Sequence, residues 1–324
     1  MAYKIFVDFA LSPEALSLLQ EGTQGHTLVF PEKPIASVLA KPERDPRFAT
    51  ADIAFGQPLP EDIRESTQLK WVHVSTSGIT RYDNAEFRSL LAKRRILMSN
   101  SASVYNEACA VHAMSFILAQ ARQLPASLRT RVGNGDDAWR ILRGSTTTLR
   151  GETVLILGYG AIGKRLAELL QPFGVQVIAC RRNPRGDEHV RMISTEELPR
   201  VLSKDAVHVV NILPDNPETR HFFNTERFAQ MRPGAVFYNI GRGTTVDQSA
   251  LLAVLRSGHL AAAWLDVTDP EPLPEGHPLL GEPHCYITPH VAGGHLNEAL
   301  TLVNHFLQNF HRFVQGEDLL DPIV

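Results

Sequence analysis

Residues 151–182, GETVLILGYGAIGKRLAELLQPFGVQVIACRR, constrain the fold more than any other stretch of the chain. Apolar Val154, Leu155, Ile156 and Leu157 form a short run, which reads as a buried parallel strand. Gly158-Tyr159-Gly160-Ala161-Ile162-Gly163 follows at once, and Leu166, Leu169 and Leu170 then recur at helical spacing until Pro172 and Gly174 stop the helix. A second apolar strand, Val175 to Ala179, comes next. Strand, glycine-rich turn, helix and strand in that order predict a dinucleotide site. Gly158 permits the tight turn, Gly160 lets a pyrophosphate approach the backbone, and Gly163 lets the helix pack on the strand, with the helix N-terminus facing the anion. The glycine spacing alone also occurs in ordinary βα turns; its setting makes it specific.

The rest of the chain repeats the alternation. Lys4–Phe9, His26–Phe30, Ala51–Gly56, Trp71–Ser75 and Ile96–Ser99 read as strands, and Ser12–Gln20 as a helix with Ser12 as N-cap and Pro13 at N1. Lys41 to Arg47 is a polar loop. Residues 1–104 hold no glycine-rich fingerprint of their own. A long helical pattern from Asn106 to Leu124 links two domains. Arg122 to Gly144 reads as a polar loop, with Trp139 anchoring it on its own domain or, as the alternative, contacting a second subunit or the substrate. After the fingerprint, strands at Val207–Ile212, Ala235–Ile240, Ala262–Val267 and Cys285–Thr288 alternate with helices at Asn224–Met231 and Gln248–Ser257, and an amphipathic helix spans 296–315. This pattern predicts an α/β fold with a doubly wound parallel sheet.

Bulk properties exclude several classes. With 324 residues the chain can bury a large core, and its 44% hydrophobic and 21% charged content is that of a globular protein. A net charge of −3 gives no reason to expect nucleic acid or an anionic membrane as partner. No stretch is long and apolar enough to span a bilayer, and MAYKIFVDFALS reads as a first strand rather than a signal peptide. Cys109, Cys180 and Cys285 lie far apart, fit buried thiols in a reducing compartment, and lack metal-ligand spacing. The expectation is a cytoplasmic protein without a metal.

Ligands of doubly wound sheets bind beyond the carboxyl ends of the strands. Three of those ends carry chemistry: Gly241-Arg242-Gly243, Thr268-Asp269-Pro270-Glu271-Pro272 and Pro289-His290-Val291. Each has a plain alternative as a surface turn, a solvated carboxylate or a structural histidine, and Asp266 or Asp269 could replace Glu271. Their shared edge places a cation, a carboxylate and an imidazole where a nicotinamide would lie.

The chain resembles the D-isomer-specific 2-hydroxyacid dehydrogenase family across essentially its whole length, through LILGYGAIGKRLA, LPDNPETRHFFNTERFAQMRPGAVFYNIGRG, LRSGHLAAAWLDVTDPEPLPEGHPLL and ITPHVAGG. The resemblance implies a Rossmann-type dinucleotide-binding domain, 105–293. It is inserted in a smaller α/β, flavodoxin-like substrate domain built from 1–104 and 294–324. It implies a homodimer and closure of the domains over a small 2-keto or 2-hydroxy acid. Arg242 then matches the substrate-binding arginine, His290 the acid/base and Glu271 its paired carboxylate. Asp266 matches a residue beside the nicotinamide amide, while Leu213, Pro214, Ile240 and Gly241 join the fingerprint as cofactor contacts. Thr76, Ser77 and Gly78 match the loop whose backbone amides hold the substrate carboxylate. The family helix that usually begins Glu-His reads Val111-His112 here, so His112 receives no chemical role. A redox-sensitive corepressor and a phosphite dehydrogenase are the alternatives within this resemblance; Glu271 speaks against formate oxidation.

NAD-binding members of the fold carry an acidic residue at the end of the second strand. Here Arg181 stands at that point, 18 residues past Gly163, followed by Arg182 and Asn183, and the first acidic residue is Asp187. A guanidinium binds a 2′-phosphate that a carboxylate would repel. The expectation is NADP in preference to NAD, with Arg181 as the contact and Arg182 beside it, and hence NADPH-dependent reduction of glyoxylate and hydroxypyruvate.

Overall fold

Apolar strands buried on both faces need helices on both faces, and the chain supplies them in two separate units. The structure, a computed structural model, describes residues 2–35, 43–131, 137–182, 184, 186 and 188–324. Along the chain come β1 (Lys4–Val7), α1 (Pro13–Gly22), β2 (Thr27–Val29), β3 (Ile53–Gly56), α2 (Pro60–Glu65), β4 (Trp71–Val74), α3 (Ala85–Arg94) and β5 (Leu97–Ser99). Then follow α4 (Ala102–Ala121), α5 (Leu124–Arg129) and α6 (Asp137–Gly144). The next run is β6 (Thr153–Leu157), α7 (Ala161–Leu170), β7 (Gln176–Cys180), β8 (Arg191–Ile193), α8 (Leu198–Lys204), β9 (His208–Asn211) and α9 (Thr225–Ala229). Last are β10 (Val236–Asn239), α10 (Gln248–Arg256), β11 (Ala262–Leu265), β12 (Cys285–Ile287) and α11 (Glu298–Gln315). Met1–Tyr105 with Gly294–Val324 form one compact unit, and Asn106–Gly293 the other.

The first unit holds a parallel sheet in the order β2-β1-β3-β4-β5, the flavodoxin-type order. Alternation along β3 sends Ala54 into a cluster with Ile63, Val72 and Phe87. It sends Phe55 the other way, against α11, where its ring stacks on Phe306 at 4.3 Å; Trp71 stacks on the same ring at 5.2 Å. Burying a ring such as Phe306 completely contributes about 1.5–3 kcal/mol, which ties the end of the chain to its beginning.

The second unit holds seven parallel strands in the order β12-β11-β10-β9-β6-β7-β8. Counted from β6, this is the doubly wound 3-2-1-4-5-6 order with one further strand, and its switch point lies between β6 and β9. Leu155, Ile178, Val209, Phe237 and Leu265 pack into one continuous core on one face of that sheet.

Three expectations need correction. β8 and α8 are elements that the sequence pattern did not reveal, because both are short and flanked by charge. The stretch 122–144 is not simply a loop, since α5 and α6 lie within it. Trp139 is no buried anchor: it is 48% exposed, with the Arg143 guanidinium 5.3 Å from its ring centre. Residues 41–42 of the polar loop, residues 132–136, Asn183 and Asp187 lie outside the described residues.

One carboxyl in the first unit costs stability. Asp8, 5% exposed at the end of β1, accepts from Gln57 N at 2.8 Å through Oδ2, while Oδ1 finds no partner among the described residues. Burial pushes its pKa from 3.8 up to about 7, against the opposing pull of the Gln57 hydrogen bond and the Arg81 charge. The folded state therefore binds this proton more tightly than the unfolded chain, and stability falls as pH rises from about 4 to about 7 and does not recover above it. At roughly 1.4 kcal/mol per tenfold the displacement corresponds to about 4 kcal/mol. Asp8→Asn is expected to be more stable than wild type at pH ~8, with the gain shrinking towards pH ~4. Urea denaturation at both pH values checks this, and an equal difference at the two would contradict it.

Candidate active site

The fingerprint sits at the switch point, where β6 and β9 lie side by side. Gly158 has φ +98°, and a Cβ there would meet the Ile212 carbonyl oxygen at 2.6 Å. In front of Gly160, which caps α7, there is nothing within 4 Å of a built Cβ. A tight turn beneath and open space at the helix N-terminus fit a pyrophosphate. Tyr159 and Ile240 are buried, and Ala161 and Ile162 form the first turn of α7.

A buried amide network joins the next two strand ends. Asn211, at the end of β9, donates to Asn239 Oδ1 at 3.0 Å and Thr245 Oγ1 at 2.7 Å, and its own Oδ1 accepts from Leu213 N at 3.2 Å. Asn239, at the end of β10, donates to the Arg242 carbonyl at 3.0 Å and accepts from Gly241 N at 3.1 Å. Thr245 Oγ1 donates to the same Arg242 carbonyl at 2.7 Å. The backbone that carries Leu213, Pro214, Gly241 and Arg242 is thus pinned by three polar side chains, all with 1% exposure or less. Arg242 Nη1 donates to the Gly241 carbonyl at 2.6 Å. Burial pushes the guanidinium below its ordinary range, opposed by Glu271 and Asp215, yet an arginine stays charged.

His290 and Glu271 come together, with Nδ1 3.1 Å from Oε2 and both side chains about a quarter exposed. The carboxylate is an acceptor only, so Nδ1 carries the hydrogen between them and Nε2 is left to gain or lose one. His290 holds φ +52°, a left-handed conformation that costs an ordinary residue roughly 1–2 kcal/mol. Asp266 holds it there. The backbone carbonyl of Asp266 accepts from His290 N, and its carboxylate accepts from Val291 N and Ala292 N, each at 2.9 Å. The sequence comparison put Asp266 beside the nicotinamide amide; in the structure it is 1% exposed and its carboxylate is engaged by the segment bearing His290.

At the end of β7, Arg181 Nη1 lies 3.4 Å from Glu188 Oε1. Arg182 pairs with Glu218. Both arginines therefore have carboxylate partners, and that of Arg181 comes from Glu188, immediately after Asp187 in the sequence. In the first unit, the Thr76, Ser77 and Gly78 carbonyls accept from Ser101 N at 3.2 Å, Asn100 Nδ2 at 2.7 Å and Thr76 Oγ1 at 2.8 Å. Among the described residues no cluster is built to hold a metal, and no helix is long and apolar enough to cross a membrane.

Residues 114–292 match the family profile for the D-isomer specific 2-hydroxyacid dehydrogenase NAD binding domain. The chain is 38% identical to a glyoxylate reductase/hydroxypyruvate reductase of Homo sapiens over 228 residues, 69% of this chain and 67% of the relative. It is 30% identical to a glyoxylate reductase of Aeropyrum pernix over 97% of this chain and 93% of the relative. Among solved structures, the NADPH-dependent glyoxylate/hydroxypyruvate reductase of Sinorhizobium meliloti, in complex with NADP and malonate, superposes with a TM-score of 0.76 at 26% identity, covering 100% of this chain and 97% of that one. A doubly wound domain matched over more than half the chain, with its strand ends carrying Arg242, Glu271 and His290, leaves one conclusion: the chain belongs to the D-isomer specific 2-hydroxyacid dehydrogenases, a family of NAD(P)-dependent oxidoreductases.

Proposed function

We propose that the protein reduces small 2-keto acids to D-2-hydroxy acids, with glyoxylate and hydroxypyruvate as substrates and NADPH as the preferred cofactor. The observation that carries this reading is the Glu271–His290 pair on a segment braced by Asp266. His290 presents Nε2 to the substrate oxygen. It gives up a proton there in reduction and takes one in oxidation. Glu271 holds the ring through Nδ1 and stabilises its protonated form. Arg242 engages the substrate carboxylate and polarises the adjacent carbonyl with a planar pair of N–H donors. The backbone amides of Thr76, Ser77 and Gly78 hold the carboxylate without adding charge. Nicotinamide, when bound, supplies the hydride for reduction. Gly158, Gly160 and Gly163, with Tyr159, Ala161 and Ile162, form the pyrophosphate cradle of the dinucleotide, and Leu213, Pro214, Ile240 and Gly241 line the path beyond it, while Asp266 serves by bracing the His290 segment. The protein works as a homodimer, supported by Leu128 and Ile141, which α5 and α6 leave 83% and 68% exposed.

Arg181 supports NADPH over NADH. A 2′-phosphate can take the place of Glu188 on the guanidinium, through charge-assisted hydrogen bonds worth roughly 1.5–3 kcal/mol each. The same pair supports a second reading, in which the Glu188 carboxylate receives the ribose hydroxyls of NAD. Assays of glyoxylate, hydroxypyruvate and pyruvate with each cofactor decide between them. The expected result is turnover with a higher kcat/KM for NADPH, and an Arg181→Asp variant whose preference shifts towards NADH. Equal or better kcat/KM with NADH in the wild type would overturn the NADPH reading. No turnover of any keto acid would overturn the enzymatic one and favour a nucleotide-sensing role.

A further inference from the structure

The segment that bears His290 has a third support, which begins on another helix. Thr288 Oγ1 lies 2.6 Å from Asp266 Oδ1 and 3.2 Å from Nε2 of His112, which projects from α4; Nε2 is also 3.6 Å from Asp266 Oδ1. A hydroxyl has one hydrogen to give. The short contact to a carboxylate, which can only accept, takes that hydrogen. The contact to His112 must then run the other way, with Nε2–H donating to a lone pair of Thr288 Oγ1. This bookkeeping fixes the neutral tautomer of His112, and a chain of donors runs His112 Nε2–H to Thr288 O–H to the Asp266 carboxylate. The carboxylate receives the Val291 and Ala292 amides at the same time.

Three features make this chain more than local packing. Each donor in such a series polarises the next, so the bond from Thr288 to Asp266 gains strength from the one behind it. The group it braces is strained: His290 keeps a left-handed backbone that only surrounding contacts can maintain. The imidazole of His112 is itself fixed in orientation, with its ring edge-on to Phe116 at 4.4 Å between centres. Burial lowers its pKa, with the Asp266 charge opposing, which favours the neutral, singly oriented ring.

We propose that His112 is a positioning residue for the reaction: through Thr288 and Asp266 it holds the segment Thr288–Ala292, and with it the His290 imidazole, in the reactive geometry. This rests on the reading of His290 as the acid/base. His112 touches neither substrate nor the reacting atoms, so its effect belongs in kcat and not in the affinity for either ligand.

The test uses full-length enzyme and four variants. His112→Phe keeps a ring of similar shape and removes the donor. His112→Gln restores an N–H that can reach Thr288. Thr288→Val removes the middle link at constant shape, and the fourth variant combines His112→Phe with Thr288→Val. His112→Phe is expected to lower kcat for glyoxylate roughly 10-fold or more, a scale common for supports of catalytic groups, with KM for glyoxylate and the Kd for NADPH within about twofold. His112→Gln is expected to recover most of the loss. The double variant is expected to be no slower than Thr288→Val, because links of one chain do not add. A His112→Phe kcat within twofold of wild type overturns the proposal. So do losses that multiply in the double variant, or a loss that appears in KM or NADPH affinity and is not recovered by glutamine. If His290→Ala retains full activity, the acid/base reading itself fails; if it does not, a negative result at His112 sinks only the chain described here.

Discussion

His290→Ala is expected to lower the rate of keto-acid reduction by roughly 10²–10⁴-fold, the usual span for losing a general acid. Nε2 is the transferable position because Nδ1 is committed to Glu271 at 3.1 Å. NADPH binding is expected to stay near its wild-type strength, since the fingerprint follows a different strand. Alanine at a position with φ +52° keeps the backbone strain of the parent. His290→Asn serves as a second variant because asparagine tolerates left-handed backbone and cannot replace the imidazole proton. Single-turnover reduction of glyoxylate, followed by loss of NADPH absorbance, measures the chemical step directly. Near wild-type kcat in both variants would make His290 structural and remove the mechanism.

Arg242→Lys is expected to cut kcat/KM for glyoxylate by roughly 10- to 100-fold, through a higher KM and a lower kcat together. A planar guanidinium engages two oxygens at once, whereas an ammonium is a single point charge. Losing one charge-assisted hydrogen bond of about 1.5–3 kcal/mol accounts for the range, at about 1.4 kcal/mol per tenfold. The structure adds a second reason. Arg242 Nη1 already donates to the Gly241 carbonyl at 2.6 Å, so part of the fork fixes the side chain. Lysine gives up that fixation as well. Steady-state kinetics at saturating NADPH separate the two constants, and unchanged values would mean that Arg242 does not meet the substrate.

Much of this arrangement is legible in one dimension because the chemistry follows strand ends. Gly158 to Gly163, Arg242, Glu271 and His290 each lie one to a few residues beyond an apolar run, and parallel topology brings such ends to one edge without further information. The supports are another matter. Asn211 and Asn239 are the last residues of β9 and β10, and their only sequence signal is a polar residue closing a run that is otherwise apolar. That they bond to each other and to Thr245 depends on β9 and β10 being neighbours in exact register, Asn211 opposite Asn239. His112 gave less still. Its family context differs by the Val111 before it, and its partner Thr288 lies 176 residues away. The same limit applies to Arg181. The missing acidic residue at the end of β7 is plain in the sequence, whereas the return of Glu188 to within 3.4 Å is a property of the loop. The helices α5 and α6 escaped because charge and glycine in 122–144 mask a helical pattern.

The three tryptophans divide in a way that gives the molecule its own optical labels. Trp71, fully buried in the first unit, donates its indole N–H to Ser99 Oγ at 3.0 Å. Trp264, 7% exposed in the second, donates to Gln120 Oε1 at 2.9 Å. Trp139 is the one that faces solvent. Replacing Trp139 with phenylalanine would leave a single enclosed tryptophan in each unit, so that further replacement of either one would let the tryptophan emission of the other, excited beyond the tyrosine absorption, report on its own half of the protein. Loss of order in the half that carries the fingerprint could then be followed separately from loss of order in the half that carries Thr76 to Gly78, without attaching a dye to either.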